Sequence, residues 1–245
     1  MNIIETANYE EMSRKAADYL VKLVSAKKDA VLGLATGSTP HGLYSEMVED
    51  HKMNGTSYEQ IRTVNLDEYI GLPSTDPNSY HTFMRKRLFD WIDIKSENTH
   101  IPNGQAGSLE KECLRYEQMI ENLGGIDLQV LGIGHNGHIG FNEPGTSFNS
   151  STHVVELAES TKKANSRFFA SLDEVPTQAI TMGIKTIMKS KEILLLVSGS
   201  SKAETLQKLI HGPFTEDFPA SILQRHPNVT IIADQDALSL LRINK

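Results

Sequence analysis

The reactive residue types of this chain gather in a few short segments. Gly134-His135-Asn136-Gly137-His138-Ile139-Gly140-Phe141-Asn142-Glu143 holds two histidines, an amide and a carboxylate within ten residues. A histidine close to a carboxylate suits general acid–base work near neutral pH. Glycines flanking His138 allow tight backbone turns and leave room for a ligand. Asp67-Glu68 is a second acidic point, where a carboxylate can act as a base or lie in a solvated turn. Two other segments suit an anion. Thr36-Gly37-Ser38-Thr39-Pro40 offers hydroxyls and free backbone N–H groups ahead of a helical stretch. Ser200-Ser201-Lys202 adds a cation, and a lysine in the first turn of a helix opposes the helix dipole unless an anion lies nearby. Arg167, before Phe168-Phe169, can present a guanidinium to a phosphate.

Each segment also has a purely structural reading. Thr39 can cap a helix that has Pro40 at its first position. Ser201-Lys202-Ala203-Glu204 fits a capping box. The Thr36 segment is not a Walker A loop, because no Gly-Lys-Ser/Thr follows at the required spacing. Gly132-Ile133-Gly134-His135-Asn136-Gly137 spells G-x-G-x-x-G, but dinucleotide binding also needs a helix starting inside it. The following Gly140 to Gly145 stretch is poor helix material, so the segment reads as a long polar loop. His135 and His138, with Glu143 or Asp67, could ligate a metal. Their spacing fits no strong zinc signature, and no metal is expected.

These segments need elements to hold them. Glu10 to Lys28 has Met12, Ala16, Tyr19, Leu20 and Leu23 at helical spacing. Further helices are expected from His41, over Ser79 to Ile92, Leu109 to Leu123 and Thr161 to Leu172, and after Ser198. The runs Ala30 to Ala35, Arg62 to Leu66, Leu128 to Ile133, Ile193 to Val197 and Val229 to Ala233 read as strands. Strands apolar on both faces, alternating with helices, indicate a mostly parallel sheet covered on both sides. The expectation is a single α/β domain over 1–245, open and doubly wound in the Rossmann-like manner. In such sheets ligands bind beyond the carboxyl ends of the strands. The segments at Thr36–Thr39, Asp67–Glu68, Gly134–Glu143 and Ser200–Lys202 each follow a strand, so they converge on one edge despite their distance in sequence.

Composition narrows the partners. With 31 acidic and 24 basic residues the formal charge is -7, which argues against nucleic acid or an anionic membrane as the main partner. One cysteine excludes an internal disulfide and a cysteine-built metal site. No apolar run reaches the roughly 18 residues of a membrane helix. The first residues lack the basic-then-apolar pattern of a signal peptide. A cytoplasmic protein is expected, and the sequence leaves self-association open.

Five blocks then fall in order: Ala35-Thr36-Gly37-Ser38-Thr39-Pro40, Asn65-Leu66-Asp67-Glu68-Tyr69-Ile70-Gly71-Leu72, Gly134 to Pro144, Ala164-Asn165-Ser166-Arg167-Phe168-Phe169 and Gly199-Ser200-Ser201-Lys202-Ala203. Together they resemble the glucosamine-6-phosphate deaminase (isomerase) family, from near the start to about residue 235. The resemblance implies cleavage of glucosamine 6-phosphate to fructose 6-phosphate and ammonia, without metal or organic cofactor. It implies that Asp67 moves a proton between C2 and C1, and that His138 opens the ring with support from Glu143 and Asn136. It assigns the phosphate to Gly37, Ser38, Thr39, Arg167 and Lys202, and it implies a mobile lid around 150–180.

Two departures from the family pattern stand out. Position 136 is Asn where some members have Asp, so it can orient His138 without supplying charge. Basic residues that allosteric members use after the Glu143 block appear here as His153 and Val155. That argues against activation by N-acetylglucosamine 6-phosphate and against a hexamer. Two rival readings have their own requirements. A 6-phosphogluconolactonase needs a base for water but no ring-opening relay. A non-catalytic sugar-phosphate sensor expects a DNA-binding helix-turn-helix and loss of the base at Asp67.

Overall fold

The computed structural model describes residues 1–166, 169, 171 and 174–242. In chain order the elements are β1 (Asn2–Thr6), α1 (Tyr9–Ala26), β2 (Val31–Leu34), α2 (His41–Asn54), β3 (Arg62–Asn65), β4 (Asp67–Tyr69), α3 (Tyr80–Arg87), β5 (Thr99–His100) and α4 (Leu109–Asn122). Then follow β6 (Leu128–Leu131), β7 (His153–Glu156), α5 (Glu159–Asn165), β8 (Gln178–Thr181), α6 (Ile184–Ile187), β9 (Glu192–Val197), α7 (Ala203–His211), β10 (Val229–Asp234) and α8 (Ser239–Arg242).

Seven strands form one sheet in the order β1-β10-β9-β6-β2-β3-β5. Every neighbouring pair in it is parallel. Side chains alternate across this sheet and feed two cores. Leu32 and Leu34 of β2 and Leu194 and Leu196 of β9 meet Met12 and Leu20 of α1 and Leu43 and Met47 of α2. On the other face, Val31, Ile193, Leu195 and Val197 join Tyr116 and Ile120 of α4 and Leu206 and Leu209 of α7. A strand covered on both faces must be apolar on both, which is why the central strands are near-continuous apolar runs. Each such side chain contributes roughly 1.5–3 kcal/mol on burial.

The topology also makes the crevice. β2 and β6 are neighbours, but the chain leaves β2 toward β3 and leaves β6 toward β9. Their onward connections diverge, and a gap opens between the loops that follow them.

Several expectations need correction. α2 starts at His41 with Pro40 at its N-cap and no capping side chain, so Thr39 is not a cap and Pro40 is one position earlier than expected. The Ser201 capping box does not form. Gly199, at φ 90°, leads into a 3-10 turn over Ser200–Lys202, and α7 begins at Ala203 with no side-chain cap. The expected helix from Ser79 has Ser79 as its cap, ends at Arg87 and continues as a 3-10 turn over Phe89–Trp91. A second sheet, antiparallel β4-β8-β7, had no signal in the apolar pattern.

Candidate active site

Asp67 opens β4, one residue after β3 ends, so the chain carries it straight off the carboxyl edge of the main sheet. Asp67 and Glu68 are both buried, which overturns the solvated turn. Their environments differ. The Glu68 carboxylate accepts the backbone N–H groups of Tyr69 (2.8 Å), Tyr80 (3.0 Å) and His81 (3.1 Å), and Nδ1 of His81 lies 2.8 Å away. It thus pins β4 to the start of α3. No hydrogen bond or ion pair holds the Asp67 carboxylate among the described residues. Burial, and then the charge of Glu68, push its pKa up to about 8. Raised this far, it is a stronger base than an ordinary carboxylate.

The loop after β6 presses on Asp67 through Gly140. That residue has φ +57°, and a Cβ there would lie 3.0 Å from Thr181 Oγ1 and 3.6 Å from Asp67 Oδ2. No helix begins inside the G-x-G-x-x-G run, and the next strand is β7 at His153, so the dinucleotide pattern fails. The loop instead folds back on itself, with Gly134 N–H donating to the His138 carbonyl at 2.9 Å. The imidazole of His138 lies against Gly134, where a Cβ would come within 2.2–2.4 Å of its ring atoms. Only glycine leaves that space.

His138 Nδ1 sits 3.6 Å from Glu143 Oε1, within ion-pair reach but too far for a hydrogen bond. Glu143 is held by two donors: Asn136 Nδ2 at 2.6 Å on Oε2, and Thr161 Oγ1 at 2.5 Å on Oε1. Burial alone would raise its pKa; His138, Thr161 and Asn136 outweigh burial and hold it at about 2. Asn136 does more than expected. Its Oδ1 takes the backbone N–H of His138 at 3.2 Å while its amide hydrogen goes to Glu143, so it orients both partners at once. Thr161, from α5, is a support that sequence reading missed. Among the described residues no three His, Cys, Asp or Glu side chains gather as a metal set.

The anion segments take their places around this pair. Gly37 turns at φ +101°. The Tyr9 hydroxyl of α1 lies 2.9 Å from the Ser38 carbonyl and 3.2 Å from that of Thr39, and it accepts Gly42 N–H at 2.8 Å. Tyr80, whose backbone N–H is held by Glu68 at 3.0 Å, packs on Tyr69 and Phe141 beside β4. Lys202 follows β9 and donates to the Ile133 carbonyl at 2.8 Å, which ties it to the loop after β6. Asp234, at the end of β10, holds that corner by accepting Gly199 N–H at 3.0 Å and the Ser198 hydroxyl. The carboxyl edge therefore gathers Asp67, Asn136, His138, Glu143, the Gly37–Thr39 loop and Lys202. Arg167 lies outside the described residues.

A doubly wound sheet with two differently tuned carboxylates at its carboxyl edge, beside the loops after β2 and β9, is the plan of an α/β enzyme. The particular line is given by sequence: the chain belongs to the family of glucosamine-6-phosphate isomerases and 6-phosphogluconolactonases, whose profile matches residues 5–232. It is 64% identical over 241 residues to a glucosamine-6-phosphate deaminase of Geobacillus sp. (strain WCH70), covering 98% of this chain and 96% of that one. It is 55% identical over 240 residues to glucosamine-6-phosphate deaminase 1 of Bacillus subtilis (strain 168), covering 98% and 99%. A solved structure of a monomeric glucosamine-6-phosphate deaminase matches it with a TM-score of 0.96 at 55% identity, over 98% of this chain and 100% of that one. A 6-phosphogluconolactonase from Trypanosoma cruzi, 21% identical, matches with a TM-score of 0.81 over 98% and 96%, and shares the fold.

Proposed function

We propose that this chain is a glucosamine-6-phosphate deaminase, converting D-glucosamine 6-phosphate and water to D-fructose 6-phosphate and ammonia. By reaction type it is a hydrolase of a C–N bond that isomerises its substrate. The observation that carries this reading is the pair of separate acid–base stations on one edge, Asp67 at one and His138 with Glu143 at the other. A lactone hydrolase needs one base; an amino-sugar deaminase needs two.

The C2 proton becomes removable only when the sugar is open and C1 is a carbonyl. Ring opening moves a proton from the C1 hydroxyl to the ring oxygen. A neutral imidazole at His138 takes the first and returns it to the second, and ionised Glu143 stabilises the imidazolium between. Asp67 then removes the C2 proton. Its raised pKa suits it to accept that proton and hand it to C1 of the enolamine. The resulting ketimine is attacked by water at C2, and ammonia leaves. Gly37, Ser38, Thr39, Lys202 and Arg167 hold the phosphate.

The segment around 150–180 serves as the lid in this reading. Support comes from Thr161, which reaches Glu143 from α5, and from β7 and β8, which lie near the two ends of the segment and pair beside β4. No helix among the described residues is long and apolar enough to cross a membrane. A phosphorylated sugar does not leak through a bilayer, so we place the reaction in the cytoplasm. The test is release of ammonia and fructose 6-phosphate from glucosamine 6-phosphate by the purified protein. Hydrolysis of 6-phosphogluconolactone with no ammonia from the amino sugar would overturn the reading.

A further inference from the structure

The loop after β6 carries a second histidine, His135, that the reaction above does not use. It is exposed, unlike its neighbours Ile133 and Gly134. Its carbonyl accepts the Thr205 hydroxyl of α7 at 3.0 Å, so its backbone is fastened to the helix that Lys202 precedes. Its Nδ1 lies 3.5 Å from the Lys202 ammonium. β6 stands between β9 and β2 in the sheet. The loop bearing His135 is therefore flanked on one side by the Lys202 turn and on the other by the Gly37–Thr39 loop.

The charges facing His135 are all positive. Partial burial first, then Lys202 from the turn before α7, then His138 from its own loop, hold its pKa below the ordinary histidine value of 6.5. Among the described residues no carboxylate acts on it. In the ligand-free protein a neutral ring places its Nδ1 lone pair toward the ammonium, which puts the hydrogen on Nε2. A dianion beside Lys202 reverses the sign of the local field and favours the imidazolium.

We propose that His135 is a phosphate-binding residue of this site and that it takes up a proton when a phosphate dianion binds beside Lys202. The proposal rests on the assignment of Lys202 to the phosphate. The linkage fixes the sign. The dianion raises the bound-state pKa above the free one, so the extra affinity is full below the free value. It fades as pH rises between the two and is absent above the bound value. Because the free value is lowered, affinity tuned by His135 begins to decline on the acid side of the ordinary histidine range and goes on declining as pH rises.

Sulfate is the suitable probe, because its charge stays at two across this range. Its dissociation constant is measured for the natural protein, His135→Gln and Lys202→Ala from about pH 5 to about pH 9. The His135 ring resonance, identified by its loss in His135→Gln, is titrated by NMR with and without sulfate. The natural protein should bind sulfate about tenfold tighter than His135→Gln at the acid end and within about twofold at the alkaline end. The His135 midpoint should rise by about one pH unit on saturation, one unit being a factor of ten. A ratio independent of pH, or an unmoved midpoint, overturns the role of His135. If Lys202→Ala binds sulfate as the natural protein does, the phosphate assignment itself fails. Ammonia release from glucosamine 6-phosphate, scored separately, tells either failure from failure of the proposed reaction.

Discussion

Asp67 and Glu143 carry the same functional group on the same edge of the sheet, yet the protein tunes them in opposite directions. Asp67 lies among buried tyrosines, and no donor meets its oxygens among the described residues; burial and the neighbouring Glu68 raise its pKa to about 8. Burial pushes Glu143 the same way, but His138, Thr161 and Asn136 overcome it and leave the pKa at about 2. Depth alone does not decide the outcome; the supply of donors does. Such a divided pair separates a group that exchanges protons from one that stays charged.

The largest effect is expected at Asp67. Asp67→Asn should keep the fold and phosphate affinity and lower turnover by at least ~10²-fold, the scale for removing a general base. Its stability should move the other way. A raised folded pKa gives stability that is full below the unfolded value of 3.8 and is lost as pH rises through about 8. At mildly alkaline pH the variant should therefore be more stable to unfolding than the natural protein by on the order of a few kcal/mol, at about 1.4 kcal/mol per pKa unit, and melt at a higher temperature. Equal melting at acid and alkaline pH would show that Asp67 is not strained by burial.

Lys202 lies outside the pair and serves as its control. Lys202→Ala should remove a charge-assisted contact worth about 1.5–3 kcal/mol of substrate binding and leave the pH dependence of turnover unchanged. Equal losses for glucosamine 6-phosphate and unphosphorylated glucosamine would remove Lys202 from the phosphate site.

Glu143→Gln should slow ring opening by about tenfold, because it removes support rather than the proton carrier. Glu143 contributes stability present above pH 4.5 and lost as pH falls toward about 2. Acid titration of the natural protein and the variant should therefore converge at low pH. The smallest effect is at Asn136. Asn136→Asp adds a carboxylate beside both Glu143 and His138, so it should raise their proton affinity and shift the acid limb of the pH–rate profile upward. A downward shift would mean that the new side chain turns away from both.

The sheet centre was legible because strands buried on both faces cannot hide their apolar runs, as in Ile193 to Val197. The small antiparallel sheet was not. Asp67-Glu68-Tyr69 has the composition of a loop, and pairing with Thr181, Ile180 and Ala179 makes it a strand. The candidate site residues could be picked out as polar groups placed just after strands, where a parallel sheet tolerates them. What holds them was not: Thr161 is 18 positions from Glu143, and the Tyr9 clamp on Ser38 spans 29. Those contacts are set by tertiary packing. The capping box at Ser201 failed because the positive φ of Gly199 and the turn after it take the place of the expected first helical turn.

The central claim is a division of labour between Asp67 and His138, and one measurement reaches it. Fructose 6-phosphate and ammonia are supplied with labelled water, and hydrogen exchange at C1 is followed in the natural protein, His138→Gln and Asp67→Asn. The ketose side enters the reaction beyond the ring-opening step of the amino sugar. Exchange should survive in His138→Gln, even though that variant is slow on cyclic glucosamine 6-phosphate, and should be lost in Asp67→Asn. Equal loss of exchange in both variants would contradict the account.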